Sequence, residues 1–110
     1  GTATSASITP EELVQRIEAG SAPFILDVRT AGEFANGHVP GAVNVPHTEL
    51  ASRRAELPKG LDSEIVVHCE SGRRALTAER WLREQGYTQV RDLEEHMRGW
   101  RTAGHPTTKP

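Results

Sequence analysis

Apolar positions along the chain fall into short runs separated by stretches with helical spacing. Ile65-Val66-Val67 is continuous and β-branched, and Phe24-Ile25-Leu26 matches it, with Asp27 interrupting before Val28. Runs of this length bounded by turn residues predict buried strands. Ala42-Val43-Asn44-Val45 and Gln89-Val90-Arg91-Asp92-Leu93 predict two more. Ile8-Thr9-Pro10-Glu11-Glu12-Leu13 predicts a helix start: Thr9 caps, Pro10 takes the first helical position, Glu12 completes a capping box, and Ile8 and Leu13 form a hydrophobic staple. Leu13, Val14 and Ile17 give that helix its inner face, and Gly20 ends it. Thr30-Ala31-Gly32-Glu33 repeats the capping pattern and opens a short helix ending near Gly37, before a turn at His38-Val39-Pro40-Gly41.

Thr48 to Ala55 predicts a surface helix with Arg53 and Arg54 in solvent, and Pro58-Lys59-Gly60 a turn. The longest helix is expected from Ala75 to Gln85, covering the sheet with Ala75, Leu76, Ala78, Trp81 and Leu82; Gly86 follows its end and Tyr87 folds back on it. A last turn or two, Glu95 to Arg101, turns Met97 and Trp100 inward. Four strands alternating with helices predict an α/β fold with a mainly parallel central sheet flanked by helices on both faces. The 110 residues suit one domain and one core, here expected over 8–106, with flexible segments at 1–7 and 107–110.

A net charge of −2 argues against a general nucleic-acid binder and makes the pair Arg73-Arg74 a local feature. No apolar run approaches a membrane span, so a soluble protein is expected, with a cytoplasmic setting preferred to a periplasmic one. One cysteine excludes an internal disulfide and any cysteine-cluster zinc site, and the five histidines show no metal-ligand spacing; neither metal nor organic cofactor is expected.

That cysteine, Cys69, stands where the Ile65 strand ends and the long helix begins, followed by Glu70-Ser71-Gly72-Arg73-Arg74. Free amide N–H groups and the helix dipole favour a thiolate there, and the thiolate is the nucleophilic form. A core cysteine would have no use for the serine, glycine and arginines that follow it, which suit an anion. In such sheets ligands sit at the C-terminal ends of strands, where Asp27 and Arg29 also fall. Asp27 needs a partner if buried, and Arg29 is adjacent. Arg29 and Glu33 are close enough to pair around the second helix start. Asp27, Arg29, Glu33 and His38 are therefore expected to hold a loop, His38 by bonding backbone in its turn. His68 adjoins Cys69, but strand alternation turns it to the opposite face.

Three separated motifs resemble the rhodanese family of sulfurtransferases: Leu26-Asp27-Val28-Arg29 with Glu33-Phe34, Gly37 to Pro46, and Cys69 to Arg74. The resemblance runs from about Thr9 to Pro106. It implies a rhodanese fold and sulfur transfer through a persulfide on Cys69, with the Glu70 to Arg74 loop around the outer sulfur. It implies a small anionic sulfur donor such as thiosulfate, a thiophilic acceptor (cyanide, a thiol or a protein), no nucleic acid or membrane partner, and a monomer. Arg74 falls at the family's loop-end arginine position and is preferred to Arg73 as the anion-binding side chain. Ser71 supplies a hydroxyl or is simply small, and Gly72 serves the backbone. Two departures stand out. Glu70 occupies a position that is often basic or neutral in the family and should weaken anion binding. Leu93-Glu94-Glu95-His96-Met97 replaces a run with two glycines, which changes the local backbone and adds a titratable His96 at the pocket mouth.

His68-Cys69-Glu70 also suggests a phosphatase or arsenate reductase of the same superfamily, but those enzymes place one residue more between cysteine and arginine. The shorter loop favours a single sulfur atom over a tetrahedral oxyanion. A non-catalytic protein-binding module, or a redox sensor needing an outside thiol, are the remaining alternatives.

Overall fold

The computed structural model describes residues 6–110. Five parallel strands lie in the order β1-β5-β4-β2-β3: β1 Ser7–Ile8, β2 Phe24–Asp27, β3 Val43–Asn44, β4 Glu64–His68 and β5 Gln89–Leu93. The helices are α1 Pro10–Glu18, α2 Ala31–Ala35, α3 Arg73–Glu84 and α4 His96–Thr102. Alternation along the central strands divides the core in two. Leu26, Ile65 and Val67 face one cluster with Ala75, Ala78 and Leu82 of α3, whereas Ile25 and Val66 face another with Leu13 of α1 and Met97 and Trp100 of α4. The sheet is thus covered on both faces, as continuous apolar strands require.

The caps form largely as expected. Thr9 accepts from the Glu12 amide at 3.1 Å, but the Glu12 carboxylate reaches Arg91 instead of closing the box. At Thr30 the box is complete. The sheet has a fifth strand, because Ser7 and Ile8 pair with Asp92 and Leu93, so the N-terminal segment ends before residue 7; residues 1–5 of it lie outside the described residues. The tail is tied down, since Thr108 and His38 exchange backbone hydrogen bonds at 2.9 Å. Residues 48–55 form no continuous helix. Short 3₁₀ turns at His47–Glu49 and Arg54–Glu56 replace it, because no side chain between the buried Leu50 and Leu57 is buried to continue an apolar helical face. Arg53 is half-buried on the Asn44 carbonyl, Glu49 and Glu56, while Arg54 is exposed. Leu76 is 50% exposed, one position off the buried stripe of Ala75, Ala78, Glu79 and Leu82.

Candidate active site

The parallel sheet brings the ends of β2, β4 and β5 together. Asp27 pairs in register with His68, and Val67 with Asp92, so the residues that follow form one rim. Cys69 leaves the end of β4 and the chain turns at once into α3. Gly72 caps that helix at φ 124°, a conformation that side chains other than glycine rarely adopt. This turn aims backbone amides inward. The Gly72 N–H donates to Cys69 Sγ at 3.0 Å, and the amides of Ser71 and Ala75 also hydrogen-bond the sulfur.

Cys69 is only 1% exposed, which alone would describe an inert core thiol. Burial does oppose its ionisation. The hydrogen bonds from His96 and from the Ala75, Gly72 and Ser71 amides outweigh it and bring the thiol down to about 7. Near neutral pH a large share of the sulfur is anionic.

The remaining loop side chains surround this sulfur unequally. Ser71 and Arg73 are exposed. Arg74 forms a two-point ion pair with Glu33, at 2.6 and 3.0 Å, which holds the Glu33 carboxyl down at about 2. Glu70 does not point into solvent alone: its carboxylate lies 3.5 Å from Arg29 and bonds Arg101. A cleft of about 210 Å³ opens beside the loop, walled in part by Arg29, Glu33, Glu70 and Arg101.

The β2 end is closed on itself. Asp27, fully buried, accepts from Arg29 Nε at 3.0 Å, Nη2 at 2.7 Å and the Arg29 amide at 3.0 Å. Arg29 Nη2 also donates to the Gly37 carbonyl at 2.9 Å. The expected Arg29–Glu33 pair gives way to Arg29–Asp27, because a buried carboxylate costs far more to leave uncompensated than an exposed one. His38 bonds the Phe34 carbonyl through Nδ1 at 2.9 Å and stacks on the Phe34 ring, 3.6 Å between centroids. His68 faces away from Cys69 Sγ, with Nε2 3.8 Å from Asp27.

His96 is misplaced by the sequence reading. It lies not at a pocket mouth but beneath the loop, 7% exposed. Glu95 and His96 take positive φ, 66° and 53°, where the related motif has glycines. Two consecutive left-handed residues cost roughly 1–3 kcal/mol each. The twist docks α4 against the loop, with the Met97 and Arg98 amides donating to the Cys69 and Glu70 carbonyls at 3.0 and 3.1 Å. It also carries the imidazole to Cys69, whose amide donates to His96 Nδ1 at 3.2 Å. Asp92, Glu79 and Arg101 were not singled out from sequence. Glu79 left a signal, a carboxylate on the buried stripe of α3; Asp92 and Arg101 left none beyond their proximity to His96 and α4.

The description "Rhodanese-like domain" matches residues 9–103 of this chain. The chain belongs to the rhodanese family. It is 34% identical to a sulfurtransferase of Allochromatium vinosum over 94% of each protein. It is 34% identical to the human thiosulfate:glutathione sulfurtransferase over 86% of this chain and 91% of that relative. Two further relatives are longer, and the rhodanese domain here spans 43% and 49% of them. Among solved structures, a rhodanese-related protein of Thermoplasma volcanium superposes with a TM-score of 0.82 at 27% identity, covering 96% of this chain and all of that one. The fold read from the strand and helix pattern is therefore the rhodanese fold. Among the described residues, no helix is long and apolar enough to cross a membrane.

Proposed function

We propose that this rhodanese domain is a sulfurtransferase that moves a sulfane sulfur from thiosulfate, or a similar small anionic donor, to a thiophilic acceptor through a persulfide on Cys69. The observation that carries the reading is the convergence of the Ser71, Gly72 and Ala75 amides on Cys69 Sγ. The Cys69 thiolate attacks the outer sulfur of thiosulfate, a new S–S bond forms, and sulfite departs with the electron pair of the old one. The terminal sulfur is then held by amides already in place, which need not reorganise as charge arrives. Cyanide or a thiol takes that sulfur, and Cys69 leaves as the thiolate.

Arg74 is assigned to donor binding over Arg73, since it is half-buried at the loop end while Arg73 is exposed. Its ion pair with Glu33 tempers that role, and Glu70, held by Arg29 and Arg101, adds negative charge beside the entry. Both features fit a weak grip on thiosulfate itself. A phosphatase reading fits less well, because four residues separate Cys69 from Arg74 and Arg74 turns to Glu33. The relatives named for sulfur transfer support donor and acceptor chemistry of this kind.

The test is release of thiocyanate from thiosulfate and cyanide. Wild type is expected to turn over, and Cys69→Ala to fall to the uncatalysed background while keeping its circular dichroism spectrum. Equal rates for the two proteins would remove Cys69 as the nucleophile.

A further inference from the structure

The Cys69 imidazole contact has no counterpart in the reading of the loop as a simple amide cup, and it continues into the protein. His96 Nδ1 meets the Cys69 amide at 3.2 Å, and its ring also hydrogen-bonds the Cys69 side chain. On the other side, His96 Nε2 lies 3.4 Å from Asp92 Oδ1. Behind Asp92 stands Glu79, 4% exposed, whose carboxyl interacts with Asp92 and whose buried Oε2 has no hydrogen-bond partner. The ring fits only because residue 72 has no side chain: a Cβ on Gly72 would sit 3.1 Å from His96 Nε2.

We infer that His96 accepts the Cys69 thiol proton and holds it while the sulfur is anionic, positioned for this by Asp92 and by the buried Glu79 behind it. The step is a proton transfer alone. The S–H bond breaks, its electron pair stays on Sγ, and the proton binds the imidazole nitrogen facing Cys69. The charges become thiolate and imidazolium, with Asp92 carrying the balancing carboxylate on the far side. The Cys69 amide and the thiol compete for that nitrogen. With the thiol protonated, Nδ1 accepts from the amide; after transfer, the ring N–H faces the sulfur.

The surrounding charges favour this arrangement. Facing the imidazole are Cys69 at the end of β4 and Asp92 from β5; behind Asp92 come Glu79 and Arg83 from α3, and His68 stands nearby, held toward its neutral form by burial. Burial works against a charged His96, but the Asp92 and Cys69 bonds override it and raise the ring to about 9. Burial and the neighbouring Asp92 push Glu79 well above the usual carboxylate range, so it stays neutral and donates to Asp92. Burial raises Asp92, yet bonds from His96 and Glu79 bring it below its ordinary value. One proton sits on Glu79, one on His96, and none on the pair's shared carboxylate.

The inference deepens the sulfurtransferase reading by naming what makes the nucleophile, but the proton pairing can be measured without turnover. The pH dependence of Cys69 alkylation by iodoacetamide reports the thiolate in folded protein. His96→Gln is expected to move the alkylation midpoint upward, slowing the reaction at pH 7 by at least about fivefold. Glu79→Gln, which keeps a neutral donor beside Asp92, is expected to leave the midpoint within about twofold of wild type in rate at pH 7. Should His96→Gln fail to fold, ¹⁵N chemical shifts of the wild-type His96 ring read its protonation directly. A ring titrating well above an ordinary histidine, and falling in Cys69→Ser, supports the pairing. A His96→Gln alkylation profile superimposable on wild type, or a wild-type ring neutral at pH 7, overturns it. If thiosulfate leaves no sulfur on Cys69 while His96→Gln still shifts alkylation, the sulfurtransferase reading fails and the pairing stands.

Discussion

Cys69 is flanked by two histidine–aspartate pairs that behave in opposite ways. On the β2 side, His68 Nε2 lies 3.8 Å from Asp27. On the β5 side, His96 Nε2 lies 3.4 Å from Asp92. The distances are close, so distance alone does not separate them. The company of each aspartate does. Asp27 is already satisfied by the side chain and amide of Arg29, and burial lowers His68 with only partial relief from Asp27. Asp92 faces a neutral Glu79 instead of a cation in contact, so its charge is left to serve His96. One flank spends its charge on holding a loop. The other keeps it available to the sulfur.

The largest way to break this contrast is to remove the cation that saturates the β2 flank. Arg29→Ala strands the fully buried Asp27, which costs about 3–5 kcal/mol when one partner of a buried pair is lost. Urea denaturation is expected to show a loss in that range, with His68 moving toward the charged form as Asp27 turns to it. A loss below about 1 kcal/mol would mean that Arg29 does not hold this end of the sheet.

A smaller effect is expected from disturbing the backbone that carries His96. A Cβ on Gly99 would stand 2.2 Å from Glu95 Cβ, so Gly99→Ala forces the Glu95–His96 twist to shift. Overpacking of this kind costs about 1–3 kcal/mol. Thermal unfolding should register it, together with slower alkylation of Cys69 as His96 is displaced. Unchanged alkylation in a destabilised variant would separate the twist from the chemistry. The smallest effect should come from the other histidine. His68→Asn is expected to leave alkylation of Cys69 at pH 7 within about twofold of wild type, despite the two residues being neighbours in sequence. A larger change would erase the distinction between the flanks.

The same contrast explains what the sequence did and did not disclose. Strand alternation placed His68 away from Cys69, and the burial of Asp27 called for the adjacent Arg29; both are local relations, readable within three residues. Thr30 and Glu33 form their capping box for the same reason. The loop from Cys69 to Gly72 was legible because a strand, a short turn and a helix follow one another without a gap. His96 lies twenty-seven residues beyond Cys69. Its position depends on two left-handed residues, Glu95 and His96, that carry no glycine to announce them. β1 escaped notice because two residues, Ser7 and Ile8, give no alternation to read. The 3₁₀ turns near Leu50 differ from the expected helix because Leu50 and Leu57 keep helical spacing while nothing between them is buried to complete the face.

A covalent persulfide on Cys69, stabilised by the loop amides, is the step on which the proposed transfer rests. Intact-mass measurement after mixing the protein with thiosulfate tests it most directly. Wild type is expected to gain one sulfur atom, absent from Cys69→Ala and removed by cyanide. An unchanged wild-type mass, with thiosulfate in excess and the protein folded, would contradict it.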